Sequence, residues 1–301
     1  MRHLNIVVFS LTLTLLSVQS LAEEEREIKL QSFEPNTIGI NYTRDEAFID
    51  VLLSQMYPMF HSGIYSEDNS HGLYFAVSVR FGFYWGTRDS SPVIGKRFNP
   101  EMFYRFWLGK QDHYIDATFG HESNGQSINS EQAYLQAQQD LDEPEHAIDY
   151  ISRGYDYVGT RYFYEHKNAF NINFDVSHMV NLRYFLEDGP LQGEIEQYYP
   201  FEDQHNQLEI RQVNGIFYQA RLSSFASETF RDLKININYI TGYKNPFKYN
   251  TVELELTKGI FDDIPITLFF RTGYNSDLAH FYVQDNSYGI KLELKTFLDE
   301  I

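Results

Sequence analysis

Apolar and polar residues alternate with a period of two along most of this chain. In Asn171-Ile172-Asn173-Phe174-Asp175-Val176-Ser177, Ile172, Phe174 and Val176 share one face and the four polar residues share the other. Val252-Glu253-Leu254-Glu255-Leu256-Thr257 repeats the split. Segments of about ten residues with this character are predicted strands: Thr37 to Tyr42, Ala47 to Pro58, Gly72 to Trp85, Glu101 to Gly109, His113 to Gly120 and Gly154 to Glu165. They continue with Phe170 to Val180, Gly215 to Leu222, Leu233 to Thr241, Thr251 to Gly259, Ile264 to Tyr274 and Ser287 to Thr296. Turn signals such as Gly109-Lys110-Gln111-Asp112, His166-Lys167-Asn168 and Asp262-Asp263-Ile264-Pro265 separate them. Two regions break the rhythm and read as long loops. Residues 128–151 are acidic and Gln-rich, with helical tendency around Glu131 to Asp142. Residues 186–206 hold Gly189-Pro190 and Pro200.

The chain ends sharpen this picture. Met1-Arg2-His3, the apolar run Ile6 to Val18, and the small residues Ser20 and Ala22 before Glu23-Glu24-Glu25 have the form of a secretory signal peptide. Residues 1–22 are therefore set apart from a single domain over 23–301. After residue 22 no run of 18 apolar residues occurs, so helical membrane spans are not expected. There is no Cys, which removes disulfides, thiolate metal sites and a lipoprotein anchor.

Aromatic residues make up 17% of the chain while mean hydropathy is −0.42. Large apolar groups are abundant but never concentrated. A transmembrane β-barrel has this composition, because lipid-facing and lumen-facing residues alternate and aromatics gather at the interfaces. A soluble β-sandwich also alternates, but strand length, aromatic load and leader favour an all-β, antiparallel membrane barrel of about 12 strands. The net charge of −18 argues against nucleic acid and against a polybasic membrane-surface protein. Trp85 and Trp107 are expected as interface anchors. The other histidines, among them His61, His71, His146, His166 and His205, show no metal-ligand spacing.

Candidate chemistry lies at the end of one strand. His121 and Ser123 are two apart, so both side chains leave the same face. A serine hydroxyl needs a base to become a nucleophile, and histidine is the usual one. The spacing is long for a hydrogen bond on a flat strand, so a local twist or bulge is expected. Gly125 lets a backbone N–H approach a ligand, as an oxyanion donor must.

Phe119-Gly120-His121-Glu122-Ser123-Asn124-Gly125-Gln126-Ser127 resembles the active-site motif of the outer-membrane phospholipase A family. Ser90-Ser91-Pro92 with Pro100 is similar to a segment before that motif. Ser152-Arg153-Gly154-Tyr155-Asp156 resembles the family's second active-site segment, Ser-Arg-Ser-Trp-Asn. Gly273-Tyr274-Asn275-Ser276-Asp277-Leu278, with Tyr288-Gly289-Ile290 after it, looks like the last hairpin.

The resemblance implies a twelve-stranded barrel of the outer membrane with its site on the outer surface, level with the outer leaflet. It implies a calcium-dependent, homodimeric hydrolase of phospholipid acyl esters at sn-1 or sn-2. Ser123 would be nucleophile, His121 general base, Asp156 the third member and Gly125 an oxyanion donor. Ca2+ would take a main-chain oxygen of Gln126, the hydroxyl of Ser152 and an oxygen near Ser90 of the partner. Three departures stand out: Asp156 occupies the place of the family's asparagine, residues 128–151 are longer than usual, and the chain ends without a terminal aromatic, Phe297 being the nearest. A non-catalytic barrel (channel or relic) and a lipid A deacylase-like esterase are the competing readings.

Overall fold

The computed structural model describes residues 30–61, 71–87, 93–109, 113–169, 174–186, 189–191, 215–225, 230, 232–242, 247–260, 264–274, 277–281 and 283–294. The signal segment, Ser90, Phe297 and most of the 186–206 loop lie outside them. Twelve strands form one closed antiparallel barrel, each paired with its sequence neighbours and the first with the last. They are β1 (Thr37–Thr43), β2 (Glu46–His61), β3 (His71–Tyr84), β4 (Ile94–Trp107), β5 (His113–Ser123), β6 (Gly154–His166), β7 (Asp175–Phe185), β8 (Ile216–Ser223), β9 (Lys234–Thr241), β10 (Asn250–Ile260), β11 (Ile264–Tyr274) and β12 (Gln284–Glu293). Closure runs through pairs such as Ile40 with Ile290 and Tyr42 with Tyr288.

The alternation seen in the sequence becomes two surfaces. Ile38, Ile40, Tyr42, Phe98, Met102, Phe106, Leu182, Tyr184, Leu254, Leu256, Leu268, Phe270, Tyr288, Ile290 and Leu292 are exposed on the outer wall. Such a belt is unsuited to water and suited to hydrocarbon. The inward positions are charged and paired. Arg105 holds Asp116 through two bonds at 2.7 and 2.9 Å. Arg161 bridges Asp116 at 3.0 Å and Glu101 at 2.6 Å. Arg80 grips Asp50 at 2.7 and 2.9 Å, and Lys291 reaches Glu255 at 3.2 Å. Asp116, Glu101 and Arg161 expose only 0, 2 and 5% of their surface. This stretch of the lumen is therefore packed with its own ion pairs, each charge desolvated and answered.

Several boundaries differ from the sequence expectation. β4 begins at Ile94, not Glu101, because the interior register continues through Asn99. β5 runs on to Ser123, so the His121–Ser123 pair lies within the strand and not beyond it. β7 spans Asp175–Phe185 and so runs past the expected end at Val180, while residues 170–173 of the expected strand lie outside the described residues. Trp107 is not an outer anchor. It falls in the inward register of Phe103 and Arg105, packs on the Met56–Tyr74–Ala76–Phe103 cluster and has the Arg105 guanidinium 5.8 Å away. Trp85, at the end of β3, is exposed as expected.

Removing one member of a buried ion network strands the others. Asp116→Ala leaves Arg105 without its carboxylate and Arg161 with one partner of two. A loss of about 3–5 kcal/mol is expected, read as a lower denaturant midpoint at unchanged slope in detergent micelles.

Candidate active site

Strand parity sets the site. In β5 the even positions Asp116, Gly120 and Glu122 are buried inward, so His121 and Ser123 face out. In β6 the inward positions are Tyr155, Tyr157 and Arg161, so Asp156 faces out as well. The register places His121 directly across from Asp156 and Ser123 across from Gly154. Direct cross-strand neighbours have Cβ atoms about 4.5–5.5 Å apart, within reach of a side-chain bond. His121 Nδ1 and Asp156 Oδ1 are 2.7 Å apart. Asp156 is fully buried while His121 keeps part of its ring exposed. The Nδ1 contact leaves Nε2 for the serine, and the ring's Cε1 leans toward Gly154, opposite Ser123. Among the described residues no hydrogen bond yet joins His121 to Ser123, as is common before substrate binds.

The strand beneath is held from the lumen side. β4 pairs with β5 at Phe98–Ser123 and again from Glu101–Gly120 onward. In that register Pro100, which lacks an N–H, falls opposite His121. Asn99 Nδ2 takes over and donates to the His121 carbonyl at 2.8 Å and to Tyr157 Oη at 3.0 Å. Tyr157 Oη donates in turn to Glu101 Oε2 at 2.8 Å. Gly120 makes room for the Tyr157 ring, since a Cβ there would overlap it. β5 keeps one register with both neighbours through His121 and Ser123, so the bulge expected near the His-x-Ser pair does not occur, and only the ladder with β4 is interrupted, at Pro100.

After Ser123 the chain turns sharply. Gly125 adopts φ +56°, the left-handed region in which glycine is at ease. Its surface is open, and its N–H has no partner among the described residues, as an oxyanion donor requires. Asn124, buried, ties this turn to the segment before β6. Its Nδ2 donates to the Ile151 carbonyl at 2.7 Å, and its Oδ1 accepts from Arg153 N at 2.8 Å. Ser152 N donates to the Ile128 carbonyl at 2.7 Å across a short parallel bridge. Gln126 and Ser152 are thereby carried on two strapped segments. Their carbonyl and hydroxyl oxygens are hard donors of the kind calcium takes. Ser90 lies outside the described residues. Among the described residues no group of three His, Asp or Glu side chains forms a metal cluster, so a cation here would rely on main-chain and hydroxyl oxygen.

The 128–151 connection is a folded unit. Helix α1 (Glu131–Asp140) starts at Ser130, whose hydroxyl accepts from Ala133 N at 3.2 Å. A 3-10 turn follows at Pro144–Tyr150, which the sequence pattern did not reveal. Ile128, Ala147 and Ile151 form its buried core, with Ala133, Tyr134 and Ala137 packed on it. Asp149 then enters a buried cluster at the barrel mouth. It lies 3.1 Å from His280 Nε2 and 3.4 Å from Arg44 Nη1. His280 Nδ1 is 3.4 Å from Asp277, and Arg44 Nη1 also donates to Tyr84 Oη at 3.4 Å. The turns after β1 and β11 are thus latched to the segment that carries Ser152. The sequence pattern assigns no role to Asn124, this latch or the turn at 189–191, although Asn124 stands in the motif, Asp277 in the last-hairpin segment and Gly189-Pro190 at a loop break.

The sequence matches no protein-family model and no curated protein. Solved structures do share the fold. The outer membrane phospholipase A of Escherichia coli aligns at 15% identity over 91% of this chain and 95% of that one, with a TM-score of 0.59. A Salmonella typhi outer membrane phospholipase, solved as a dimer with bound calcium, aligns at 15% over 90% and 94%, with a TM-score of 0.59. An active-site variant of the Escherichia coli protein, asparagine changed to alanine, gives 15%, 91% and 95%, and a TM-score of 0.60. At this identity the likeness establishes a common fold.

The latch carries a pH dependence. Burial and the Arg44 guanidinium, whose Nη1 is 2.6 Å from Nε2, work to lower the His280 pKa, but hydrogen bonds to Asp149 and Asp277 outweigh them and hold the imidazole above its ordinary 6.5. The charged form is then favoured by folding. Its contribution is complete below pH 6.5 and is lost as pH rises through the raised value. The excess melting temperature of wild type over His280→Gln should shrink as pH rises above 6.5, measured by thermal melts in micelles.

Proposed function

We propose that the chain is an outer-membrane phospholipase that hydrolyses acyl esters of phospholipids through Ser123, His121 and Asp156. The observation that carries this reading is the 2.7 Å contact between His121 Nδ1 and Asp156, on the outward face and one register step from Ser123. A barrel whose reactive groups face out, within an apolar belt, acts on what surrounds it. That is lipid.

The chemistry follows from the geometry. Asp156 accepts from Nδ1–H and holds the tautomer in which Nε2 is free. Nε2 takes the Ser123 proton as Oγ attacks the ester carbonyl. The Gly125 N–H stabilises the oxyanion. His121 then protonates the departing lysophospholipid oxygen. A water, deprotonated by the same nitrogen, releases the fatty acid from Ser123. Gln126 and Ser152, with Ser90 from a second copy, would hold Ca2+, which supplies positive charge near the developing oxyanion. A dimer would complete that site and keep single subunits silent. This fits the calcium-bound dimer of the Salmonella typhi neighbour and the phospholipase activity named for both proteins.

The lumen argues against a channel. Among the described residues, Asp116, Arg161 and Glu101 form buried ion pairs at one level of the barrel interior, which supports a packed lumen there. A porin instead keeps an open aqueous lumen. Ser123→Ala should abolish release of fatty acid from phospholipid in mixed micelles, and retained activity would refute the assignment. Chelation of calcium should lower kcat of the wild type, with recovery on titrating Ca2+ back; turnover indifferent to the metal would remove the calcium part alone.

A further inference from the structure

The turn at residues 189–191 takes no part in the chemistry above, yet it lies directly against Asp156. Asp156 points outward from β6, toward the side where other strands are exposed, but is itself fully buried. The turn covers it. Leu186 N, just past β7, donates to the Asp156 carbonyl at 2.9 Å and anchors the chain there. Residues 189–191 lie over the carboxylate. Leu191 N donates to Asp156 Oδ2 at 2.6 Å. Gly189 sits so near that a methyl group on it would overlap Oδ2, Cγ and Cβ of Asp156. The Leu191 side chain is exposed, so the turn acts here through its backbone.

We propose that residues 189–191 form a positioning turn that fixes Asp156 and requires it to be a carboxylate. The proposal rests on the triad reading of the preceding subsection. For His121 Nε2 to accept the Ser123 proton, Nδ1 must carry one, and so donates to Oδ1. The Leu191 amide can only donate, and it donates to Oδ2. The side chain at 156 must therefore accept on both arms. A carboxylate does so. An amide has one acceptor arm and one donor arm, and either orientation sets its NH2 against an N–H. At a fully buried position that loses one hydrogen bond and leaves donors facing each other. The Escherichia coli neighbour has an asparagine in its active site. The carboxylate of this chain matches the donor that its own turn brings. The same two donors answer the cost of keeping a charge out of water beside a lipid-facing wall.

The test uses full-length protein in phospholipid micelles, with folding of each variant checked by heat-dependent gel mobility. kcat and KM are measured for wild type, Ser123→Ala, Asp156→Asn, Gly189→Ala, Asp156→Ala and the double variant Asp156→Ala/Gly189→Ala. The turn predicts that Asp156→Asn lowers kcat on the order of 100-fold with KM little changed. It predicts that Gly189→Ala lowers kcat in the wild type but adds nothing in the Asp156→Ala background, because its effect passes through that carboxylate. Full activity in Asp156→Asn, or a Gly189→Ala cost of equal size in both backgrounds, would overturn it. If Gly189→Ala does not fold, the Asp156→Asn comparison decides alone. Activity surviving in Ser123→Ala would instead refute the triad, and the positioning role would fall with it. An inactive Ser123→Ala beside a fully active Asp156→Asn refutes the turn only.

Discussion

Pairing of β1 with β12 is the contact on which the remainder of the structure depends. An open sheet leaves a row of N–H and C=O groups that hydrocarbon cannot satisfy. Closure through Thr37–Glu293 to Tyr42–Tyr288 removes that edge. Once the sheet is closed, every strand has an inside and an outside. Period-two alternation then assigns each residue to one or the other. The ion pairs of Asp116, Arg161 and Glu101 fall inside for the same reason that His121, Ser123 and Asp156 fall outside.

The consequence for chemistry is a division of labour across one sheet. The outer face of β5 and β6 carries the proposed reacting groups, His121, Ser123 and Asp156. The inner face of the same two strands carries their support: Tyr157 packs under Gly120, and Asn99 repairs the ladder opened by Pro100. At the rim, Asn124 straps the Gln126 turn to the Ser152 segment, and the Asp149–His280 latch holds that segment to the mouth. The 189–191 turn closes the outer side over Asp156. Each support reaches the site through a short hydrogen-bonded path. The proposed triad would need such support to keep its geometry on the outer wall.

The barrel was legible in the sequence because a membrane strand writes its two environments into alternate letters. Segments such as 252–257 carry that pattern without interruption. His121 and Ser123 were legible as a pair on one face, and parity alone gave their shared direction. Asp156 was reachable only through resemblance, because the pairing that sets it opposite His121 joins strands separated by the whole 124–153 connection. The start of β4 was hidden by Pro100, which reads as a break yet sits within the strand where Asn99 replaces its missing donor. Trp107 was misassigned because composition says that tryptophan gathers at interfaces but only register says which way it points. Gly189-Pro190 showed only as a loop break and Asp277 only as part of a hairpin; the contacts they make left no local signal, since their partners come from distant segments.

The central claim is that Ser123 is an activated nucleophile on the outer wall. Fluorophosphonate labelling of the folded protein, followed by peptide mass spectrometry, addresses it without assuming any lipid substrate. The account predicts one adduct, on the peptide containing Ser123, formed in wild type and lost in His121→Ala. No adduct on the folded wild type, or one on a different serine, would contradict it.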